Sequence, residues 1–253
     1  MRKSLIAAAF AASALAPLLA LAQEAPAPPR EGWSFNGVFG SFDRGAAQRG
    51  FLVYSQVCSV CHSLNLLAYR DLAELGFTED QVKAFAAQVQ IGDGPNDQGK
   101  MFERPGKPSD HFKAPYPNPQ AARAALNGAL PPDLSLIVKS RHGGADYIHA
   151  ILTGFRDPPP AGFKLNEGMY YNEFFNGHQI AMPPPLSDGA VTYADGTKAT
   201  ADQMARDVAT FLAWAADPNL ETRHRMGIKV ILFLLVLAGV LYAVKRRVWA
   251  DVH

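Results

Sequence analysis

Cysteine is almost absent from this sequence, which restricts the chemistry open to the chain. Only Cys58 and Cys61 occur among 253 residues, and with His62 they form the segment Cys-x-x-Cys-His. No other cysteine is present to complete a zinc site, and structural zinc sites use four protein donors. Three uses of the pair remain open: a disulfide or redox dithiol, half of a metal site, or two thioether anchors for a haem.

The sequence also has no internal repeat and no convincing β-strand pattern. Apolar residues recur instead at the spacing of a helix. This spacing predicts helices over residues 43–57, 78–91, 133–140, 145–153 and 200–217. Many of the 19 prolines and 21 glycines lie between them, so segments 92–120 and 157–196 are predicted to be loops without regular structure. The expected fold is one mainly α-helical domain with long Pro/Gly-rich loops.

Charge is missing from a run near the N-terminus, residues 5–22, which follows two basic residues and ends in small ones. A basic start, an apolar stretch and a small-residue cleavage site are the features of a secretory signal peptide. We expect residues 1–22 to be a signal peptide cut after Ala22, so that the rest of the chain is exported. An uncleaved membrane helix is the alternative, and Pro17 argues against it.

A second apolar stretch, residues 226–244, contains a single lysine close to its edge. As a helix it would span about 29 Å, enough to cross a bilayer. Three basic residues follow it, and basic residues mark the cytoplasmic side of membrane helices. We expect an exported head of residues 23–222, one C-terminal transmembrane helix and a cytoplasmic tail of residues 245–253. A buried core helix is the alternative.

The expected head is acidic although the whole chain has a formal charge of +1. Residues 23–222 contain 16 Lys and Arg against 22 Asp and Glu, a net charge of −6. Such a surface argues against nucleic acid as a partner and would attract a basic protein. The alternative is that the acidity only keeps the domain soluble.

The Cys-x-x-Cys-His segment favours haem over its two alternatives. Two thiols one short turn apart can each form a thioether with the same haem, and the adjacent imidazole is then held at the iron. A dithiol of the thioredoxin type expects a βαβ setting, which the sequence lacks. Export agrees with covalent haem, since this haem is attached outside the cytoplasm. One such motif predicts one haem.

The sixth position of the iron decides its function, because a filled position favours electron transfer and an open one permits binding of small molecules. Met182 is the strongest candidate, since its thioether lies in "IAMPPPL", where three prolines restrict the backbone. A methionine that only fills a gap beside the haem is the alternative. Met204 and His149 are better explained as helix core. The remaining candidates are Met101, Met169, His111, His142 and His178.

Segments throughout the chain, and not only the haem motif, match a known family. They include "RGFLVYSQVCSVCHS", "DGPNDQGKMFERPGKPSD", "RHGGADYIHAILTGF", "AMPPPL" and "DVATFLAWAADPNLETRHRMGIK". These segments resemble cytochrome c1, the haem subunit of quinol–cytochrome c oxidoreductase (bc1) complexes. The likeness extends over nearly all of residues 33–247, and it implies a cytochrome c-like haem domain with one covalently bound c-type haem.

The resemblance also implies roles for individual residues. Cys58 and Cys61 correspond to the thioether anchors, His62 to the proximal ligand of the iron and Met182 to the other axial ligand.

Two further residues of the haem pocket are implied in the same way. Arg141 corresponds to an arginine near a haem propionate, and Tyr147 to another residue of that pocket. A cation beside a partly buried carboxylate is physically sensible. From the residues alone, Arg141 could equally be a surface or helix-end charge.

The family implies partners as well. They are cytochrome b and the Rieske iron–sulfur protein, with cytochrome c as the acceptor, in a dimeric complex of the bacterial cell membrane whose haem domain lies in the periplasm. The subunit would carry electrons and would not be an enzyme on its own. The residues alone leave open a free-standing anchored cytochrome, a haem enzyme or gas sensor with an open iron position, and a thiol-redox protein.

Overall fold

The computed structural model describes residues 25–252, so the predicted signal peptide lies outside the described part of the chain. Within that part the chain is mainly helical, as expected, with two small antiparallel sheets. The α-helices are α1 Arg44–Gln56, α2 Glu79–Ala87, α3 Pro119–Ala125, α4 Ile137–Ser140, α5 Gly144–Thr153, α6 Ala201–Ala216 and α7 Leu220–Val248. The strands are β1 Gln90–Asp93, β2 Phe102–Pro105, β3 Tyr170–Tyr171 and β4 Gln179–Ile180. Two 3₁₀-helices cover Cys58–Val60 and Tyr69–Leu75.

The crossing of α1 over α6 forms the centre of the core. Gly50 lies at the closest approach, where a Cβ atom would fall 2.0 Å from the carbonyl oxygen of Asp207 and 2.7 Å from Cβ of Phe211. The rings of Phe51 and Tyr54 each lie 5.8 Å from that of Phe211. Only a residue without a side chain lets the two backbones approach this closely.

An ion pair holds the same crossing from the side. Arg49 donates through Nε and Nη2 to the two carboxylate oxygens of Asp207, each at 3.0 Å, and Asp207 is 1% exposed. A buried carboxylate needs a partner of this kind, because leaving its charge unpaired would cost several kcal/mol (about 3–5). The hydrogen bonds that Arg49 donates to Asp207 raise the pKa of Arg49 against the opposing effect of burial. Helices α4 and α5 also pack on α6, which therefore contacts three other helices of the head.

The N-terminal lead-in is fixed from Glu31 onward by contacts with α5 and α6. The backbone N–H of Glu31 and Nε1 of Trp33 both donate to Oδ1 of Asp146 on α5, at 3.0 and 2.6 Å. Arg206 of α6 pairs with Glu31, and its guanidinium carbon lies 5.3 Å from the centre of the Trp33 ring. The lead-in therefore closes over α5 and α6.

The expectation that segments 92–120 and 157–196 contain no regular element was wrong. In the second segment β3 pairs antiparallel with β4. β1 pairs antiparallel with β2, α3 begins at Pro119, and α2 ends at Ala87 rather than near residue 91. Arg104 stabilises the hairpin, because its guanidinium pairs with Asp93 on the facing strand and with Asp110 beyond it. These partners are separated in sequence, so local propensity does not show them.

The predicted helix over 133–140 was also too long at its start. Only Ile137–Ser140 is helical. Asp133 instead uses its carboxylate to accept hydrogen bonds from the loop that follows the cysteine motif, and Leu134 donates its N–H to the carbonyl of Ser63 at 2.9 Å. The helices predicted over 43–57, 145–153 and 200–217 are present within a residue or two.

Helix α7 is 29 residues long, and its apolar side chains are exposed along its length. An 18-residue window within it has a mean hydropathy of 2.5, and it is the one candidate membrane span among residues 25–252. The head does not cover it, so the buried-core alternative for residues 226–244 is wrong. A helix of this length reaches about 43 Å, which exceeds the hydrocarbon thickness of a bilayer.

Replacing Gly50 tests the crossing of α1 and α6. Gly50→Ala is expected to lower the free energy of unfolding by about 2–3 kcal/mol, because the added methyl group must push the helices apart. Denaturant unfolding of the head, followed by circular dichroism, measures the change.

Gly45 on the same helix supplies the matched control. A Cβ at Gly45 meets only the side-chain atoms of Asp43 and Arg49, at 3.3 and 3.7 Å. Gly45→Ala is therefore expected to be neutral or to stabilise by up to about 1 kcal/mol, since alanine favours helix. Equal effects of the two substitutions would contradict the proposed close approach.

Candidate haem site

The cysteine motif lies at the turn that ends α1. Cys58 begins the short 3₁₀-helix, and its carbonyl accepts hydrogen bonds from the N–H groups of Cys61 (3.1 Å) and His62 (2.9 Å). Both cysteines are free thiols and are half-buried. The turn thus places two thiols and an imidazole within one short stretch of backbone at the edge of the core.

His62 is oriented by a hydrogen bond between Nδ1 and the backbone carbonyl of Pro132 at 2.8 Å. A carbonyl only accepts, so Nδ1 carries the proton and Nε2 keeps its lone pair. Histidine ligands of metals are held in this way, through a hydrogen bond from the nitrogen that does not bind the metal. Burial lowers the pKa of His62 despite the opposing effect of the Pro132 carbonyl, which favours the neutral imidazole that binds metals.

Asp133 fixes the loop that carries Pro132. Its Oδ2 accepts from the hydroxyl of Ser63 (2.8 Å) and the N–H of Asn65 (2.9 Å), and its Oδ1 accepts from the N–H of Ser135 (2.8 Å). Burial alone would raise the pKa of Asp133, but these donors outweigh it and lower the pKa. The carboxylate therefore joins the two segments on either side of the His62–Pro132 bond.

Pro132 and Asp133 are contributors to the site that the sequence patterns did not reveal. A backbone carbonyl leaves no sequence motif, and the aspartate was interpreted as the start of a helix. The available signal was the pair of prolines before Asp133 in "LPPDLS", which fixes a non-helical backbone there.

Arg141 and Tyr147 lie near each other at the start of α5. The positive charge of Arg141 acts to lower the pKa of Tyr147, although the larger effect of burial raises it. Arg141 is exposed and forms no ion pair with any carboxylate among residues 25–252. Within the described part of the chain, the guanidinium forms a single hydrogen bond, to the neighbouring carbonyl of Ser140 at 3.5 Å. The guanidinium is thus available to an anionic group.

Met182 lies two residues beyond β4, in an irregular segment, and is half-buried. The segment is attached to the end of α5 through buried Asn172, whose Nδ2 donates to the carbonyl of Ile151 at 2.8 Å. Asn172 also donates its N–H to the carbonyl of His178, next to β4. A continuous series of contacts therefore runs from the Pro132 loop through α4 and α5 to the methionine segment.

The other candidates for the sixth position have different surroundings. Met204 is fully buried in the core, and His149 is buried with Nε2 2.9 Å from Oδ1 of Asp202, as expected for core residues. Met101 is 71% exposed. His178 is stacked on Tyr171, with ring centres 5.7 Å apart. The remaining two histidines, His111 and His142, are exposed.

A cavity of about 700 Å³ lies on one side of the methionine segment. Leu152, Met169, Tyr171 and Pro184 are among its lining residues, whereas the cysteine motif, Arg141 and Met182 are not. Pro184, two residues after Met182, contributes to the wall of the cavity.

The residues of this site fit the binding of a haem better than a zinc site or a redox dithiol. Among residues 25–252 no group of three or more His, Cys, Asp or Glu side chains is arranged to hold a metal ion. Burial raises the pKa of Cys58 to about 12, with a further contribution from Cys61. Reactive cysteines have lowered pKa values, so this thiol lacks the activation that a redox dithiol requires. A haem needs only the two thiols, the oriented imidazole and one further donor.

Comparison with known proteins shows the family of the chain. The model of the cytochrome C1 family matches residues 33–252, so the chain belongs to the cytochrome c1 family. Cytochrome c1 of Rhodospirillum rubrum is 47% identical over 238 residues, covering 88% of each chain. A mitochondrial cytochrome c1 haem protein of Solanum tuberosum is 53% identical, covering 88% of this chain and 84% of its own.

One relative is much longer. The cytochrome b/c1 protein of Bradyrhizobium diazoefficiens is 51% identical over 247 residues, which cover 89% of this chain but only 36% of that protein.

Asp133→Asn tests the hydrogen bonds that the Asp133 carboxylate accepts beside His62. The amide keeps the shape but loses the charge and part of the acceptor capacity, so we expect the free energy of unfolding at pH 7 to fall by about 1 kcal/mol. Because the folded pKa of Asp133 is lowered, its contribution is present above the unfolded value of about 4 and is lost as the pH falls through the folded value. The variant's stability should therefore depend less on pH in the acid range.

Asp80→Asn is the control for this substitution. The Asp80 side chain is 98% exposed on α2, and its nearest cation is Lys83 at 4.0 Å. Its replacement is expected to change stability by less than about 0.5 kcal/mol. A pH profile of Asp133→Asn that runs parallel to the wild-type profile would exclude a role for this carboxylate in acid stability.

Proposed function

We propose that the chain is the haem-carrying electron-transfer subunit of a membrane-bound quinol–cytochrome c oxidoreductase complex. The observation that carries this proposal is the hydrogen bond between Nδ1 of His62 and the Pro132 carbonyl. It leaves the lone pair of Nε2 free to bind a metal, close in sequence to the thiols of Cys58 and Cys61. Membership of the cytochrome c1 family supports the same conclusion over nearly the whole exported part of the chain.

Four residues would hold the haem. Cys58 and Cys61 would attach it through thioethers, His62 would ligate the iron from one side, and Met182 would ligate it from the other. The bound haem supplies one-electron chemistry at its iron, and a thioether ligand raises its potential. The contribution of the chain is positional: the Pro132 carbonyl sets the orientation of the imidazole.

Two further residues would bind the haem carboxylates. Arg141 has a guanidinium without an acidic partner in the described chain, and Tyr147 is half-buried beside it. A guanidinium forms strong charge-assisted hydrogen bonds with a carboxylate, so this pair suits a propionate group. The haem propionate would then supply the carboxylate partner that Arg141 lacks within the described chain.

The chain would be exported and anchored in the bacterial cell membrane. A signal peptide of residues 1–22 would direct residues 23–222 to the periplasm, α7 would cross the bilayer at residues 226–244, and residues 245–253 would stay in the cytoplasm. The basic residues at the end of α7 support this orientation.

The proposed electron path begins at the Rieske iron–sulfur protein and ends at a cytochrome c. Cytochrome b would be the other main partner, within a dimeric complex. The subunit itself would make and break no substrate bond, since quinol oxidation belongs to the complex. The net charge of −6 over residues 23–222 suits a basic acceptor.

Substitutions in the donor set test covalent attachment and ligation separately. Denaturing electrophoresis with haem staining should show one haem-bearing band for the native protein, and none for Cys58→Ser combined with Cys61→Ser. Met182→Leu should keep the covalent haem, bind carbon monoxide in the ferrous state and have a lower midpoint potential, because leucine offers no donor to the iron.

Met169→Leu is the matched control, since Met169 lines the cavity of about 700 Å³, whose wall does not include Met182. It should keep the native potential and exclude carbon monoxide. Native protein that binds carbon monoxide readily would contradict methionine ligation and favour a sensor or enzyme with an open iron position. Absence of a haem band from the native host would exclude the proposal altogether.

The acidic head predicts a salt-dependent reaction with its acceptor. The rate of reduction of a basic soluble cytochrome c should fall as ionic strength rises, because the screening length shrinks from about 30 Å at 0.01 M to about 8 Å at 0.15 M. Stopped-flow spectroscopy measures the rate, and an uncharged small oxidant serves as the control that salt should not affect. A rate that is constant or rises with salt would contradict electrostatic docking of the acceptor.

A further inference from the structure

An exposed apolar turn precedes α1. The segment "SFNGVFGS", residues 34–41, contains no charged residue, and at its tip Val38 is 67% exposed and Phe39 is 83% exposed. A single exposed hydrophobic residue on a soluble domain needs no explanation, but two adjacent ones at the tip of an uncharged turn form a small apolar surface.

The turn has a defined shape. Ser41 donates its N–H to the carbonyl of Ser34 at 3.0 Å, and Gly40 donates to the carbonyl of Gly37 at 3.1 Å. A Cβ at Gly40 would lie 2.2 Å from the carbonyl oxygen of Phe35, so the turn is wound too tightly for another residue there. The tip is therefore held out by a closed backbone.

Aromatic packing fixes the base of the turn. The ring of Phe35 lies 5.5 Å from that of Trp33 and 5.2 Å from that of Phe42, and both of these are buried. The sequence thus packs three aromatic rings together at the base while it leaves Phe39 in the open. The aromatic residues around the turn are therefore divided between a packed base and an exposed tip.

The base is attached to the first turn of α7. The N–H of Phe42 donates to Oε1 of Glu221 at 2.9 Å, and Arg44 donates to both carboxylate oxygens of Glu221 at 2.8 and 3.1 Å. Burial opposes ionisation of Glu221, but the bonds from Arg44 and Phe42 outweigh it and lower its pKa. The turn therefore starts at the point where the candidate membrane helix leaves the head.

Distances along the chain place the tip near the expected bilayer surface. Phe39 is three residues from Phe42, a reach of at most about 11 Å. The apolar stretch of α7 begins at residue 226, about 8 Å along the helix from Glu221. The tip is thus able to reach the level at which α7 enters the membrane.

The neighbouring charges also suit a lipid surface. Arg225 and Lys229 lie on the first turns of α7, around the same end of the head, while Arg223 beside them pairs with Asp217. Apolar side chains next to basic residues are the combination that binds the interface of a bilayer, where the rings enter the boundary region and the cations meet lipid phosphates.

We propose that the Val38–Phe39 turn is a second membrane contact, inserted in the head-group region of the leaflet that α7 enters. The proposal rests on the proposed function, in which α7 is inserted in the membrane. A single helix leaves a head free to rotate and tilt about its junction, whereas a second contact beside the helix fixes the orientation of the head. The occupant of the apolar surface is thus the lipid bilayer.

Spin labelling of the full-length haem protein tests the proposal. A nitroxide is attached to Phe39→Cys, and the protein is placed in vesicles of phosphatidylcholine and phosphatidylglycerol. The collision rate of the nitroxide with oxygen, which concentrates in lipid, is then compared with its collision rate with a water-soluble nickel complex. The control label is on Met101→Cys, because Met101 is exposed to a similar degree at the β1–β2 hairpin. The ratio of oxygen to nickel collisions should be several-fold higher at position 39 than at position 101.

Two results would overturn the proposal. Equal ratios at the two positions would mean that the turn lies in water. A label at position 39 that is shielded from both reagents in the assembled complex, but open to nickel in the isolated chain, would mean that a protein partner covers the turn.

The proposed function is checked independently in the same samples. Unsubstituted haem protein should take up no label, since its two native cysteines would be thioethers, and the chain should resist extraction by alkaline carbonate. Labelling of the unsubstituted protein would contradict covalent haem, and extraction would contradict insertion of α7. If the native chain is inserted and takes up no label, but position 39 lies in water, only the second membrane contact is rejected.

Discussion

The close contact of α1 with α6 at Gly50 is the constraint on which the other parts of the head depend. Because Gly50 has no side chain, α1 lies directly against the backbone of α6, and the pair of Arg49 with buried Asp207 fixes the two helices lengthwise. The cysteine motif follows α1 after a single residue, so the position of α1 determines that of Cys58. Helices α4 and α5 pack on the same α6. The positions of both sides of the candidate haem site therefore depend on α6.

The two sides of the site are stabilised in different ways. On the histidine side, the Pro132 carbonyl and the Asp133 carboxylate form a network of short hydrogen bonds around one loop. On the methionine side, Asn172 ties the segment to α5, and beyond β4 three prolines, 183–185, provide no N–H groups for hydrogen bonds. The first side is held by bonds, and the second depends on restricted backbone angles and on packing.

Local patterns predicted those features that local interactions determine. The capping box of Thr78 with Gln81 is present in both directions, at 3.2 and 2.8 Å, and α2 begins there as expected. The motif at Cys58 was recognisable because its chemistry depends on spacing alone. Met182 was selected by its prolines and by family resemblance, and its role as a ligand stays a prediction.

The features that the sequence did not reveal all depend on partners distant along the chain. The β1–β2 hairpin is stabilised by Arg104, whose two carboxylate partners lie on either side of it in sequence. The Pro132 carbonyl meets His62 across 70 residues, and a backbone atom carries no side-chain signature. Asp133 looked like the start of a helix because a capping aspartate and a bridging one have the same local sequence. Only the fold distinguishes them.

The distribution of charge connects the head to its position at the membrane. Residues 23–222 have a net charge of −6, whereas residues 223–253 contain six basic side chains and one acidic one. An acidic head would be repelled by anionic lipids, and the basic start of α7 offsets this repulsion at the one end that faces the bilayer. Two carboxylates lie at the boundary and each pairs with an arginine, Glu221 with Arg44 and Asp217 with Arg223. The near-neutral formal charge of the chain therefore results from an acidic head, a basic C-terminal region and the two basic residues at positions 2 and 3.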